Sequence, residues 1–370
     1  MRLLALTSSY PRHAGDYCGR FVRDLHVGLA QRGHQVVTIA PAAAGVAAES
    51  QDEAGLVLRP GAVEPIFYQR GLEAELLQRP WRIAQLWRWL RVARSALERE
   101  LPRHDALLLH WMVPCGWALP ARCERPVIGI GHGGDLHQMA LPLLGRMHAL
   151  RLRGKIAALL CAREPRAGMI ERVLGPVPVR CTPMGVDEHI FCSTGALRAD
   201  CSDAVLGVGR FETLKGFDVI LRAAALTGDR VALIGAGPQR SKLVQLAEQE
   251  KVPLHLPGLL PPEEVAAAMR AARVVVVPSR RGRLGREEGT PVVAAEALAC
   301  GRPLLASATG GLKQWLQGEQ LFEPGAVAAL AEKLRSAAPM IAVPAWTSRQ
   351  HTAGVVEGLI KLTLRVNGFN

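Results

Sequence analysis

Short, unbroken apolar runs recur along this chain, and each ends at a glycine, a proline or a polar turn. ALLLH (106–110), VIGIG (127–131) and IAALLCA (156–162) lie in the first half. AVLGVG (204–209), RVALIG (230–235), LHLPG (254–258), VVVVP (274–278) and PLLAS (303–307) lie in the second. A strand with one wet face alternates apolar and polar residues, whereas these runs do not alternate and must be covered on both faces. Helix-length segments separate them at the spacing of βα units, which predicts parallel sheets. Arg2 to Thr7 and QVVTIAP (35–41) extend the pattern to the N-terminus, with a helical segment at 16–32 between them. A long helical pattern covers 72–101, interrupted or restarted at Pro80, and 346–366 reads as a final helix. The Gly/Ala/Pro-rich stretch 42–69 carries no period and is read as irregular.

A chain of 370 residues is too long for one core. PMGVDEHIFCSTGALRADCSD (183–203) is rich in turn formers and is read as the linker. The expected architecture is α/β, with two doubly wound Rossmann-like domains facing each other across a cleft. The first covers 1–185 and the second 186–346, and a C-terminal helix at about 347–370 packs back on the first. No apolar run approaches the roughly 20 residues of a membrane span, and MRLLALTSSYP reads as a first strand rather than a signal peptide. The eight cysteines (18, 115, 123, 161, 181, 192, 201 and 300) form no CxxC pair and no Cys/His cluster at metal spacing, so a reduced, cytoplasmic chain without a structural metal is expected. Net charge is +12. Residues 1–180 hold 24 Lys and Arg against 15 Asp and Glu, a balance of +9 that leaves +3 for the rest. A basic half suits a polyanion, an anionic membrane surface or a phosphorylated ligand. Nucleic acid is not expected, because no aromatic stacking motif accompanies the charge.

The stretch GREEGTPVVAAEALACGRPLLAS (285–307) carries the first candidate site. Thr290 suits an N-cap, Pro291 a first helical position and Gly301 the residue after the helix end, predicting a helix over Pro291–Cys300. Its N-terminus is an anion site. Glu288 lies just before it and Glu296 nearly two turns in. Both carboxylates can accept from sugar or ribose hydroxyls. Equally, Glu288 can meet its own helix terminus and Glu296 a neighbouring arginine. In GVGRFETLKGFD (207–218), Arg210 and Lys215 follow a strand that ends in Gly207 and Gly209. A forked cation and a point charge there suit a diphosphate, or are simply solvated. IGAGP (234–238) is a further strand-end turn. His132 follows VIGIG at a strand end, and Asp135 can be its helix cap or an acceptor group.

Taken in order, GVGRFETLKGFD, IGAGP, PSRRGRLGREEGTPVVAAEALACGRPLLAS and TGG (309–311) resemble the family-4 retaining glycosyltransferases of the GT-B fold, with Glu288 and Glu296 as the E-x7-E pair. TSSYPRHAGDYCGRFV (7–22), HGGD (132–135) and PMGVDEHIF (183–191) are similar to that family's N-terminal elements. The resemblance implies transfer of a sugar from a nucleotide-diphosphate sugar to an acceptor hydroxyl with retention, without metal or other cofactor. It implies catalytic roles for His132, Arg210, Lys215 and Glu288. Arg210 and Lys215 would hold the diphosphate, Glu296 the ribose and Glu288 the donor sugar. Gly209, Gly237, Gly289, Thr290, Gly310 and Gly311 would line the donor site, joined by Gly15 and Gly19 of the glycine loop. Asp16, His132 and Asp135 would stand on the acceptor side. A glycan or lipid-linked acceptor of bacterial surface polysaccharide or lipopolysaccharide synthesis is the expected partner. Other sugar-nucleotide enzymes of this fold (an epimerase or phosphorylase) and a non-catalytic scaffold are the alternatives. Met184 stands where the family usually has Asn, and Arg280, Arg281, Arg283 and Arg286 make the donor loop unusually basic.

RPWRIAQLWRWLRVARSALERE (79–100) places Ile83, Leu86, Leu90, Ala93 and Leu97 on one helical face, with Trp87 and Trp89 flanking it and Arg88, Arg91 and Arg99 roughly opposite. The stripe predicts core packing. The Arg and Trp edges suit peripheral contact with an anionic membrane.

Overall fold

The computed structural model describes all residues except 69–71, 166–167, 283–284, 286, 337–340 and 367–370. The chain divides into two compact units, Met1–Thr182 with Gln350–Asn370, and Pro183–Arg349.

The first unit is built on an eight-stranded sheet: β1 (Arg2–Leu6), β2 (Gln35–Ile39), β3 (Glu49–Asp52), β4 (Gly55–Leu58), β5 (Ala106–His110), β6 (Val127–Gly131), β7 (Ala158–Cys161) and β8 (Val179–Cys181). Their order is β3-β4-β2-β1-β5-β6-β7-β8. All neighbours are parallel except β3 and β4. Every residue of β5, β6 and β7 is buried, as the non-alternating runs require. The β3–β4 hairpin falls inside the stretch read as irregular. Both strands are four residues long; β3 (ESQD) is polar throughout, and β4 (GLVL) is an apolar run too short to stand out in a stretch rich in glycine, alanine and proline. Chain order reverses at β1, which lies between β2 and β5.

The 72–101 pattern resolves into a helix Leu72–Gln78, a single 3-10 turn Pro80–Arg82 and a helix Ile83–Glu100. Proline cannot donate to a helical ladder, and it opens the turn instead. The buried stripe of the long helix is Leu86, Trp89, Leu90, Ala93, Ala96 and Leu97. Two residues depart from the expected face. Ile83 is 41% exposed, whereas Trp89 is 2% exposed, its ring edge-on to Phe67 at 5.0 Å. The helix buries a stripe wide enough to take in an indole, which the narrower sequence stripe omitted.

The second unit holds a six-stranded parallel sheet: β9 (Val205–Val208), β10 (Val231–Ile234), β11 (Leu254–Gly258), β12 (Val274–Val277), β13 (Leu304–Ser307) and β14 (Leu321–Phe322), in the order β11-β10-β9-β12-β13-β14. The reversal point is β9, between β10 and β12. Residues read as a linker pack into this unit. Val186 bridges to Ser348, and the buried Arg349 guanidinium lies 2.7 Å from Asp187. The helix Arg349–Val366 ends the described chain, and its Glu357 takes a 2.6 Å contact from Arg32 of the first unit, to which both belong. No helix among the described residues is long and apolar enough to cross a membrane.

Candidate functional site

Doubly wound sheets present ligands at the carboxyl ends of the strands beside the reversal point. In the second unit those are the ends of β9 and β12, and the candidate residues gather there. Gly209 follows β9 with φ 147°, a backbone conformation that favours glycine, and the Lys215 stem packs alongside it. Lys215 ends a 3-10 turn, Thr213–Lys215. Gly216, at φ 66°, then turns the chain into the helix Phe217–Thr227; a Cβ there would meet the Pro278 carbonyl oxygen at 2.2 Å. The lysine is thereby fastened beside the end of β12.

Lys215 Nζ lies 2.5 Å from Glu288 Oε1, and Ser279 Oγ donates to Glu288 Oε2. Glu288 therefore meets a lysine and a serine, not its own helix terminus. The turn after β13 closes over it: Gly311 N donates to Gly289 O at 2.6 Å, and a Cβ on Gly310 (φ 53°) would stand 2.0 Å from Glu288 O. Ser279, Ser307 and Thr309 are buried here, and Ser307 Oγ donates to Ser279 O. Sequence reading missed this hydroxyl cluster because serines after strands are commonplace.

The helix after Glu288 is Val292–Ala299, two residues shorter than expected, with Pro291 at the N-cap and no side-chain cap. Pro291, at φ −57° and ψ 127°, is extended rather than helical, so Thr290 lies one position outside the cap. Cys300 and Gly301 (φ 64°) end the helix as the glycine predicts. Pro291 and Val293 line a small pocket with Val208, Lys215, Phe217 and Ser279. Glu296 is half-buried and three residues from Val293, on the same stripe of an otherwise buried helix. Arg210 pairs with Glu212 at 3.2 Å. In the IGAGP turn, a Cβ on Gly237 would meet Phe211 backbone atoms at 2.6–2.9 Å, so chain packing alone requires that glycine. Arg280 pairs with Asp218 and Arg281 with Glu287; Arg283 and Arg286 lie outside the described residues.

In the first unit, His132 follows β6 and is half-buried against Phe21 (5.0 Å between ring centroids) and Trp111 (4.5 Å). Trp111 has φ 47°, a left-handed conformation that a bulky residue holds only when its surroundings enforce it. Asp135 is buried in the first turn of the helix Gly134–Ala140. Its Oδ1 accepts from the backbone N–H of His132 (3.0 Å), Gly133 (3.1 Å) and Leu136 (3.0 Å), and its Oδ2 from Met112 (3.1 Å). It ties the loops after β5 and β6 together. Burial pushes its carboxyl up to about 6, against the pull of these four donors. Asp16 is likewise engaged: Arg12 lies 2.6 Å from Oδ2, and Cys18 N donates to Oδ1. Burial works to raise it, but Arg12 and the Cys18 N–H hold it down to about 2. Gly19 (φ 70°) caps the helix Arg20–Gln31, and a Cβ there would meet Ser9 O at 2.4 Å; a Cβ on Gly15 would make only ordinary contact with the His13 ring, at 3.8 Å.

Two neutral histidines lie deep in this unit. Burial lowers His26 to about 3 and holds His110 well below its ordinary value. The unfolded chain takes up these protons near pH 6.5 and the native chain does not, so stability present above pH 6.5 is lost as pH falls. Asp135 acts in the opposite sense between about pH 6 and 4, but one carboxyl against three histidines (burial also lowers His132 to about 3) leaves a net loss. The unfolding free energy of this unit is expected to drop by roughly 3 kcal/mol between pH 6.5 and 5. Denaturant titrations at the two pH values measure it, and an unchanged or higher midpoint at pH 5 contradicts the assignment.

All eight cysteines are free. Among the described residues, Asp200, Cys201 and His255 bring three ligand atoms within 4.8 Å, a grouping invisible in sequence because His255 is remote from the other two. It stands at the amino edge of the second sheet, away from Lys215, and Arg198 already occupies Asp200 at 2.8 Å.

Two doubly wound α/β units, the second with a lysine–carboxylate pair and glycine turns at the carboxyl edge of its sheet, define the GT-B class. Residues 18–189 match the family model described as Glycosyltransferase Family 4, and residues 198–338 the model described as Glycosyl transferases group 1. The chain belongs to glycosyltransferase family 4 and has the GT-B fold. It is 30% identical over 253 residues to the D-inositol 3-phosphate glycosyltransferases of Mycobacterium tuberculosis and Mycobacterium bovis, a match covering 60% of this chain and 50% of theirs. The chain thus spans about half the length of these curated relatives. Among solved structures it is similar to sucrose-phosphate synthase from Thermosynechococcus elongatus (20% identity, TM-score 0.69, 99% of this chain and 96% of that one). It is also similar to the trehalose-6-phosphate synthase OtsA (15%, 0.70, 98% and 96%) and to Anabaena HepE in complex with UDP-glucose (15%, 0.63, 99% and 99%).

Proposed function

We infer that this chain is a glycosyltransferase that moves a sugar from a nucleotide-diphosphate sugar to an acceptor hydroxyl, with retention and without a metal ion. The observation that carries the reading is Lys215 ion-paired to Glu288 beneath the Gly310–Gly311 turn, at the reversal point of the second sheet. A donor diphosphate would draw Lys215 off Glu288 and free that carboxylate for sugar hydroxyls. Arg210 would add a forked contact, and Glu296 would accept from the ribose. With the leaving phosphate neutralised by side-chain cations and by the N–H groups of the helix Val292–Ala299, a metal has no necessary task. The departing diphosphate then helps take the acceptor proton on the face it leaves. HepE was crystallised with UDP-glucose, which makes UDP-sugars the first donors to try. The acceptor we favour is a glycan or lipid-linked intermediate of a bacterial surface polysaccharide or lipopolysaccharide, used on the cytoplasmic side of the membrane.

Thermal-shift titration with UDP-, GDP- and ADP-sugars is expected to single out one base. Product anomers by NMR should match the donor's configuration, and turnover should survive a chelator. An inverted product, or a strict need for a divalent ion, would overturn this mechanism.

Peripheral membrane contact is supported by three exposed apolar side chains on the 72–100 segment: Leu77 (80% exposed), Trp81 (68%) and Trp87 (43%). The neighbouring arginines are largely engaged, Arg79 and Arg82 by Glu75 and Arg88 by Glu64, so insertion of the indoles supplies much of the contact. Co-sedimentation with vesicles containing anionic lipid is expected to fall several-fold in a Trp81→Ala, Trp87→Ala double variant. Equal pelleting of both proteins, with and without anionic lipid, removes the idea.

A further inference from the structure

Two thiols meet at the edge of the first sheet. Cys161 ends β7 and Cys181 ends β8, and the parallel register sets them opposite each other. Their Sγ atoms lie 3.5 Å apart, and either thiol can donate to the other. Twenty positions separate them in sequence, so no short motif announces the pair. Cys161 is fully buried, whereas Cys181 is half-buried on the last strand of the sheet. Gly131 of β6 stands in the same row, paired with Cys161. The thiols therefore lie at the carboxyl edge of the sheet, close to the loop that carries His132.

Register partners on neighbouring strands stand about 4.8 Å apart, inside the roughly 4.4–6.8 Å between Cα atoms that a disulfide spans. Side-chain rotation can close the gap between the sulfurs without a change of register. Exposure sets the order of events. A dissolved oxidant reaches Cys181 first, because thiol oxidation follows access. The Cys181 sulfur attacks one oxygen of hydrogen peroxide, the O–O bond breaks, and a sulfenic acid and water result. The Cys161 sulfur then attacks the Cys181 sulfur, the S–O bond breaks, and the hydroxyl leaves with the Cys161 proton as a second water. Two thiols and one peroxide give one disulfide and two waters; both sulfurs are oxidised and the peroxide is reduced.

We propose that Cys161 and Cys181 are a reversible oxidation site, a dithiol that peroxide converts to an inter-strand disulfide and a small dithiol reductant restores. The bond staples β8, an edge strand of three residues, to β7 just before the chain leaves this unit at Thr182. It closes the loop that holds the helix Met169–Leu174. A cross-link of this kind narrows the unfolded ensemble, so the oxidised chain gains stability. Cys115 is the internal control, because it is as fully buried as Cys161. The site is independent of the proposed sugar transfer and stands or falls without it.

The test is peptide mapping of the full chain after brief exposure to hydrogen peroxide, with free thiols alkylated and no reductant in the digest. Trypsin leaves Cys161 in residues 156–163 and Cys181 in residues 181–198. The second peptide also holds Cys192, so fragmentation places the bond. The expected product is the Cys161–Cys181 cross-link, lost on adding dithiothreitol, with Cys115 still free. Cys181→Ser is expected to slow oxidation of Cys161 by about tenfold or more, to the level of Cys115. In Cys161→Ala, Cys181 should stop at a sulfenic acid that dimedone traps. The oxidised wild type should melt several degrees above the reduced chain, and Cys181→Ser should show no such rise. A folded chain in which Cys181 resists peroxide, or oxidises without bonding to Cys161, overturns the proposal. So does Cys161 oxidising as fast in Cys181→Ser as in the wild type, or a cross-linked chain that melts no higher than the reduced one.

Discussion

Replacing Lys215 with Ala is expected to lower kcat/KM for the nucleotide-sugar donor by about a thousandfold, roughly 4 kcal/mol of transition-state stabilisation. The lysine stem runs along Gly209 and its ammonium lies on Glu288, 2.5 Å from Oε1. Charge builds on the diphosphate as the bond to the sugar breaks, and a fixed cation is worth more at that moment than in the ground state. The loss should therefore appear mainly in kcat. The fold should change little, because the pair is partly exposed and such pairs contribute about 1 kcal/mol or less. Arg281→Ala is the control: its 56% exposed side chain pairs with Glu287 and should leave turnover within twofold. Steady-state kinetics on both variants, with a thermal melt for each, decide the matter. A Lys215→Ala enzyme at wild-type rate would remove the diphosphate role altogether.

Asp135→Ala is the substitution expected to cost most stability. The carboxylate accepts four backbone N–H groups from two loops, and its surroundings are 1% exposed at that residue. Alanine leaves those donors buried without acceptors. Each such group costs about 1–3 kcal/mol, lessened where water can enter, so a total of roughly 3–5 kcal/mol is expected. That is a large share of the ~5–15 kcal/mol that holds an ordinary domain folded. Asp135→Asn keeps the shape and one acceptor oxygen but sets an amide N–H₂ against a backbone donor, so its loss should be intermediate. Urea titration of both variants measures this, and a loss under about 1 kcal/mol for Asp135→Ala would show the loops held by something else. Those loops carry His132 and Trp111, so faster amide exchange at residues 111–112 and 132–136 should accompany the loss.

These two residues mark how far the sequence could be read. Lys215 stood out because a cation after a strand-end glycine is a local pattern, and Glu288 because its motif spacing survives in a linear string. Their pairing was not legible: 73 positions separate them, and only the parallel register of β9 and β12, with Gly216 against Pro278, brings them together. Asp135 looked like a helix cap or an acceptor group. That it also reaches across to Met112 N is a fact about neighbouring strand ends. The hairpin β3–β4 was illegible for a different reason, since β3 is polar and β4 is only four residues long, too few to show a period.

Non-alternating apolar runs by themselves determined that this chain forms parallel sheets sheathed by helices. Such runs have no wet face, and broken by glycine or proline after four to seven residues they are too short for helices, so their backbone bonds to neighbouring strands. Glycines at strand ends likewise marked where the chain turns, because few other residues tolerate those angles. Tertiary structure alone decided which charges meet, which hydroxyls are buried, and that Thr38, His26, His110 and His132 fall into one line. Contacts of this kind depend on strand order and register. Those follow from the packing of whole faces, and no local stretch of sequence encodes them.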